Sequence, residues 1–149
     1  MTLTLAEIGK DNVRAACKLT VEPHQETYVA PVMHSLAMAY AYGDVTWPRL
    51  VLDDDTIVAF VMGAFDPAET VEYRRCGIWR LNVAAGKQGR GYGRFAVESV
   101  LGEARRRGER RASVSWVPGE HSPEEFYLKL GFRKTGQIYD GEVVGAIDL

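Results

Sequence analysis

The segment Leu81-Asn82-Val83-Ala84-Ala85-Gly86-Lys87-Gln88-Gly89-Arg90-Gly91-Tyr92-Gly93-Arg94 reads as an apolar strand, a glycine-rich turn and the opening of a helix. Glycines at a strand end let backbone approach a ligand closely, and the first N–H groups of a helix lack intrahelical partners. With the helix dipole behind them, such donors suit a phosphate or pyrophosphate. Lys87, Arg90 and Arg94 add positive charge to the same turn. Two phosphate motifs are excluded. A P-loop needs Gly-Lys-Ser/Thr, whereas Gly91 is followed by Tyr92-Gly93; a dinucleotide fingerprint starting at Gly89 needs glycine where Arg94 stands.

The pattern that does fit is Q-x-x-G-x-G, carried by Gln88, Gly91 and Gly93. Further on, Tyr127-Leu128-Lys129-Leu130-Gly131-Phe132 matches Y-x-x-x-G-F, on a helix that Ser122 and Pro123 start and Gly131 ends. In this order the two motifs resemble the GCN5-related N-acetyltransferase (GNAT) superfamily, and the element pattern extends that resemblance to nearly the whole chain.

Working outward from the turn, Leu3, Leu5 and Ile8 suggest a first strand, and Asp11 or Asn12 a cap for a short helix through about Lys18. Val32, Leu36, Ala39 and Tyr40 recur at helical spacing, giving a helix from about Pro31 to Tyr42 that stops at Gly43. Arg49–Leu52 and Thr56–Phe65 form a hairpin around Asp53-Asp54-Asp55, an acidic turn without the ligand alternation of an EF-hand. A strand from about Tyr73 to Val83 leads into the turn, and Phe95, Ala96, Val97, Val100, Leu101 and Ala104 stripe the following helix. Ala112–Val117 is a strand, and Phe132–Tyr139 and Glu142–Ile147 pair around Asp140-Gly141. The expected fold is α/β (α+β): a mixed, mostly antiparallel sheet of about seven strands, in the order β-α-α-β-β-β-α-β-α-β-β.

Composition narrows the function classes. The 149 residues suit one domain, residues 1–149, and a net charge of −2 argues against a nucleic-acid binder built on bulk electrostatics. The cluster Arg105, Arg106, Arg107, Arg110 and Arg111 reads as a solvated helix end, with the 3′-phosphate of coenzyme A as the alternative. Cys17 and Cys76 suggest neither a disulfide framework nor a zinc site. No signal-like or membrane-spanning apolar run is present, so a cytoplasmic protein is expected.

What the resemblance implies is specific. Acetyl-coenzyme A would be the acetyl donor, with no metal. Gln88, Gly89, Arg90, Gly91, Tyr92, Gly93 and Arg94 would hold its pyrophosphate. Asn82 and Val83 would meet the pantetheine arm where their strand splays from Ser113–Val117, and a backbone N–H near Val83 would polarise the thioester carbonyl. Tyr127 would protonate the departing thiolate. The acceptor would be a primary amine of a small molecule, attacking directly within a ternary complex. Because an alkylamine is mostly protonated at neutral pH, a base is required. None is evident in the strand, so a water chain ending on Glu26, Glu72 or Glu120 is expected. Glu120 also stands where many members have a coenzyme-contacting Asn.

Gln25, Val29-Ala30-Pro31, Ser35-Leu36, Ala39-Tyr40, Ile78-Trp79-Arg80-Leu81 and Gly141-Glu142-Val143-Val144 look like the bacterial diamine and spermine/spermidine N-acetyltransferases, except that His34 replaces an expected Asn. Glu22, Glu26 and Asp44 would suit a polycationic amine. The absent base and Glu120 leave a non-catalytic acyl-coenzyme A binding module as the alternative. Superfamily habit leaves a homodimer open.

Overall fold

The computed structural model describes residues 1–149. Seven strands, β1 (Leu3–Ala6), β2 (Thr46–Asp53), β3 (Thr56–Phe65), β4 (Cys76–Val83), β5 (Arg111–Trp116), β6 (Arg133–Tyr139) and β7 (Glu142–Asp148), form one sheet. Their spatial order is β1-β2-β3-β4-β5-β7-β6, and every pairing is antiparallel except β4–β5. Helices α1 (Val13–Cys17), α2 (Val32–Tyr42), α3 (Glu72–Arg75), α4 (Tyr92–Arg106) and α5 (Glu124–Lys129) complete the chain, with short 3-10 turns at Pro23–Gln25 and Gly43–Val45. The expected mixed sheet flanked by helices is the observed one.

The period-two alternation of β3 explains how one strand serves two cores. Val61 and Phe65 join the larger cluster with Val97, Val100 and Ala104 of α4, Trp116, Tyr127 and Phe132. Phe60 and Met62 face the other way, into a smaller cluster with Leu50, Ala16 of α1 and Val32 of α2. The sheet is therefore covered on both faces. No helix is long and apolar enough to cross a membrane.

Three local expectations are corrected. The strand expected from Tyr73 begins at Cys76, because Glu72–Arg75 form one helical turn. Tertiary contacts outweigh local strand preference there: Asp66 N–H donates to Arg75 O at 2.7 Å, and the Arg75 guanidinium grips Glu109 at 3.1 Å and donates to Pro67 O at 3.2 Å. Asn12 does not cap α1; its amide accepts from Gly9 N–H and donates to Glu7 O, knitting the preceding turn instead. Pro123 precedes α5 as its N-cap residue rather than opening it, while Ser122 Oγ accepts from Glu124 N–H at 3.3 Å. The hairpin expected at Asp140-Gly141 is present, both residues having positive φ (50° and 78°), as a two-residue turn of this kind requires.

Candidate active site

The glycine turn is held open by its own backbone. Gly86, Gly89 and Gly91 have φ of 78°, 75° and 83°, and Gly91 is the N-cap of α4. From Gln88 through Arg94 no backbone N–H donates to another protein atom; the first to do so is Phe95, to Gly91 O at 3.0 Å. A continuous row of unpaired donors at a helix N-terminus is an anion site. Its neighbours fix its shape. Gly86 N–H donates to Glu22 Oε1 at 2.6 Å, Ala85 N–H to Thr20 O at 2.7 Å, and Gln88 Nε2 to Val83 O and Gln25 Oε1 at 3.3 and 3.2 Å. The Tyr92 side chain turns into the core, where its hydroxyl donates to Asp53 Oδ2. A Cβ on Gly93 would stand 3.1 Å from Phe126 Cζ, so glycine lets α5 close against the turn.

Beyond this turn the sheet opens. Strands β4 and β5 pair only at Gly77–Ser113 and Ile78–Val114. Opposite, the β3–β4 register steps from Met62–Arg80 to Gly63–Ile78, leaving Trp79 as an extra residue. Such a bulge bends its strand, and it falls where the β4–β5 pairing ends. The resulting cleft, of about 770 Å³, runs from Lys87, Gly89, Gly91, Gly93 and Arg94 past Val83 and Leu81 to Trp116 and Tyr127. Tyr127 is 5% exposed, stacked on Trp116 with centroids 5.6 Å apart, and met edge-on by Phe126 and Phe132. Burial raises its phenol well above the usual tyrosine range, so at neutral pH it is a proton donor and not a base.

The model of the Acetyltransferase (GNAT) family covers residues 12–132. The chain belongs to that family. It is accordingly an N-acetyltransferase with acetyl-coenzyme A as donor. No curated protein matches it in sequence. Among solved structures, the GNAT domain of S. lividans PAT is 18% identical, with a TM-score of 0.77 over 97% of this chain and 89% of that one. The PaiA N-acetyltransferase of Thermoplasma acidophilum, solved in complex with coenzyme A, is 9% identical, with a TM-score of 0.74 and full coverage of both chains. The ribosomal-protein-S18-alanine N-acetyltransferase of Escherichia coli is 16% identical, with a TM-score of 0.67 over 99% and 94%. These likenesses establish the fold.

The acetyltransferase distributes its other expected site residues unevenly. Gln88 lines the cleft with the glycines, whereas Arg90 is exposed outside it. Asn82 is buried and does not itself line the cleft: its Nδ2 donates to Ala30 O at 2.9 Å, tying β4 to the loop before α2. Of the three expected acids only Glu26 lines the cleft. Glu72 sits at the far end of β4, where it accepts from Arg111 at 3.2 Å, and Glu120 is exposed on the loop after β5. Glu22 is committed to the Gly86 N–H. The arginine cluster lies at the opposite end of α4, about 20 Å from the cradle over 15 helical residues. There Arg106 and Arg107 share Glu103, which leaves the cluster a solvated, partly neutralised helix end.

Three charged residues reach the cleft that the sequence reading did not assign to the chemistry, Arg80, Glu125 and Glu142. Glu142, first residue of β7, accepts from Ser115 Oγ at 3.2 Å. Arg80 is half-buried beside it on β4. Arg80 is the one charge within β4 and Glu142 opens the apolar run Val143–Ile147, which is the signal that marks them.

Proposed function

We propose that residues 1–149 act as one domain that acetylates the primary amine of a small molecule by direct attack on acetyl-coenzyme A. The observation that carries this reading is the unpaired N–H row from Gln88 to Arg94, opening onto the same cleft as Tyr127. The row would take the pyrophosphate, with Lys87 and Arg94 adding charge. Val83 and Leu81, on the β4 edge freed by the splay, would meet the pantetheine arm, and a backbone N–H near Val83 would polarise the thioester carbonyl.

Proton traffic follows from the groups lining the cleft. Glu142 would take one proton from the ammonium, so that the nitrogen lone pair can form the N–C bond. As the C–S bond breaks, Tyr127 O–H would protonate the thiolate, and the phenolate would recover the second proton shed by the nitrogen. The products are the amide and free coenzyme A, with one proton passed from Glu142 to water. No acyl-enzyme is needed, and neither cysteine lines the cleft. Cys76 is buried, its thiol pushed up to about 12 by desolvation.

For a polycationic acceptor, Glu26 lines the cleft, but Glu22 is occupied by backbone, Asp44 does not line the cleft, and Arg80 puts positive charge there. The test is steady-state kinetics with both substrates varied. Intersecting double-reciprocal lines are expected; parallel lines would refute direct transfer, and tight acetyl-coenzyme A binding without acetylation of any amine would favour a non-catalytic module.

A further inference from the structure

Arg80 is a cation without a counter-ion. No carboxylate lies within 4.0 Å of its guanidinium, which sits 5.2 Å from the Trp79 ring centroid; Glu142 acts on it only at longer range. Its sole hydrogen bond to protein runs from Nη1 to the Trp79 carbonyl at 3.1 Å, and its Nε is fully buried with no partner. Burial lowers its affinity for a proton, the mark of a charge desolvated faster than it is compensated. Half-buried guanidinium groups are ordinarily paired, because an uncompensated buried charge costs several kcal/mol.

The other partly buried arginines obey that rule. Arg75 grips Glu109, and Arg49 lies 3.7 Å from Glu7. Arg80 differs in facing the cleft, at the bulge where β4 leaves β5. It also shares its face of β4 with Asn82, since Met62 and Phe60, their partners on β3, both face the α1–α2 side. A second cavity of about 240 Å³ meets the cleft there, sharing Ile78, Trp79, Val114 and Ser115 with it and lined further on by Tyr42, Tyr73 and Tyr139, with Asp66 and Arg74 also on its wall. One wall thus carries an unpaired cation, a carboxylate and an aromatic recess.

We infer that the acceptor is a zwitterionic aminocarboxylate, an amino acid with an apolar or aromatic side chain, whose carboxylate Arg80 binds while Glu142 receives its ammonium. The recess takes the side chain. This inference rests on the acetyltransferase reading above and deepens its acceptor. Arg80 offers the planar fork that a carboxylate fits, and the bound anion supplies the missing counter-ion. Glu142 is held by Ser115 Oγ through one oxygen, leaving the other for the amine. The same Arg80 charge disfavours a diamine, which would bring a second cation to it.

The experiment compares matched acceptors on wild-type enzyme: phenylalanine and leucine, their decarboxylated amines, and their amides. Turnover is read as acetylated product by mass detection alongside thiol release. The free amino acids should exceed their amines and amides in kcat/KM by about 10- to 100-fold, the worth of a charge-assisted pair. Arg80→Met should collapse that ratio toward one, and Arg80→Lys should restore part of it. Acetyl-coenzyme A affinity by calorimetry should stay within about twofold in both variants, placing Arg80 on the acceptor. Equal rates for amino acids and amines in wild type would overturn the inference while leaving the transferase intact. A fall in acetyl-coenzyme A affinity in Arg80→Met would overturn it too, by assigning Arg80 to the donor. No acetylation of any member would sink the transferase reading and the inference together. The wild-type comparison stands even if a variant fails to fold.

Discussion

Replacing Gly77 by alanine tests the hinge on which the cleft depends. A Cβ there would lie 1.8 Å from Ser113 O, 2.7 Å from its carbonyl carbon and 2.9 Å from its nitrogen. All three are backbone atoms of the neighbouring strand, so no side chain can rotate out of the way. Ordinary contact begins at 3.4 Å, and β4 and β5 must part by roughly 1.5 Å to reach it. Only Gly77–Ser113 and Ile78–Val114 join these strands, so that movement breaks the one direct seam between β1–β4 and β5–β7. Overpacking costs about 1–3 kcal/mol, and each ladder hydrogen bond lost adds about 1 kcal/mol, for a total of about 3–5 kcal/mol. For a chain of this length that lowers Tm by about 10 °C. Gly102 is the matched control: it is an exposed residue within α4, with nothing within 4 Å of its added Cβ. There alanine should stabilise by about 0.5–1 kcal/mol through helix propensity alone. Thermal and urea unfolding of the two variants should move in opposite directions. A Gly77→Ala Tm within about 2 °C of wild type would refute the argument.

Tyr127→Phe removes one oxygen from a packed ring, so kcat should fall about 100-fold or more while acetyl-coenzyme A affinity by calorimetry holds; an unchanged kcat would remove the tyrosine as acid. The same variant has a pH signature. The folded-state phenol titrates above its unfolded value, so its contribution to stability is complete below about pH 10 and is lost as pH rises toward the folded value. Urea midpoints at pH 8 and pH 11 should therefore drop further for wild type than for Tyr127→Phe. Gly91→Ala, at φ 83°, should cost about 1–2 kcal/mol and weaken acetyl-coenzyme A binding, which calorimetry would read directly. Glu142→Gln keeps the Ser115 contact but cannot take a proton, and should lower kcat by about 100-fold with little change in the donor KM.

The donor side of the site was legible because one contiguous segment supplies it from backbone. The glycines at 86, 89 and 91 are needed for φ values that other residues resist, and composition records such a need. Gly77 escaped notice for the complementary reason. Its requirement comes from a strand 36 positions away, and nothing local marks it. Tyr127 carried a pattern of its own, Y-x-x-x-G-F, and the structure adds that the aromatic packing around it is also what suppresses its ionisation. In the acidic Asp53-Asp54-Asp55 turn, Asp53 anchors Tyr92 at the start of α4, a pairing that no local pattern announces.

The acceptor side resisted for a geometric reason. Glu72 was the acid nearest the strand in sequence, but the strand's eight residues separate it from Val83 by about 25 Å, and a helical turn swings it to Arg111. Glu142 lies far from the strand in sequence, yet the sheet order inserts β7 between β5 and β6, and that swap carries its carboxylate to Ser115 and the cleft. Arg80 likewise acquires meaning only once the Trp79 bulge is seen to fall where the β4–β5 pairing ends. A phosphate can be recognised by backbone donors that follow one another along the chain. A small acceptor is recognised by single charges from separate strands, and their convergence is a property of strand order and register. The short runs behind the polyamine resemblance include those around Arg80 and Glu142, yet nothing in the runs themselves shows that the two residues meet: topology brings them to one cleft.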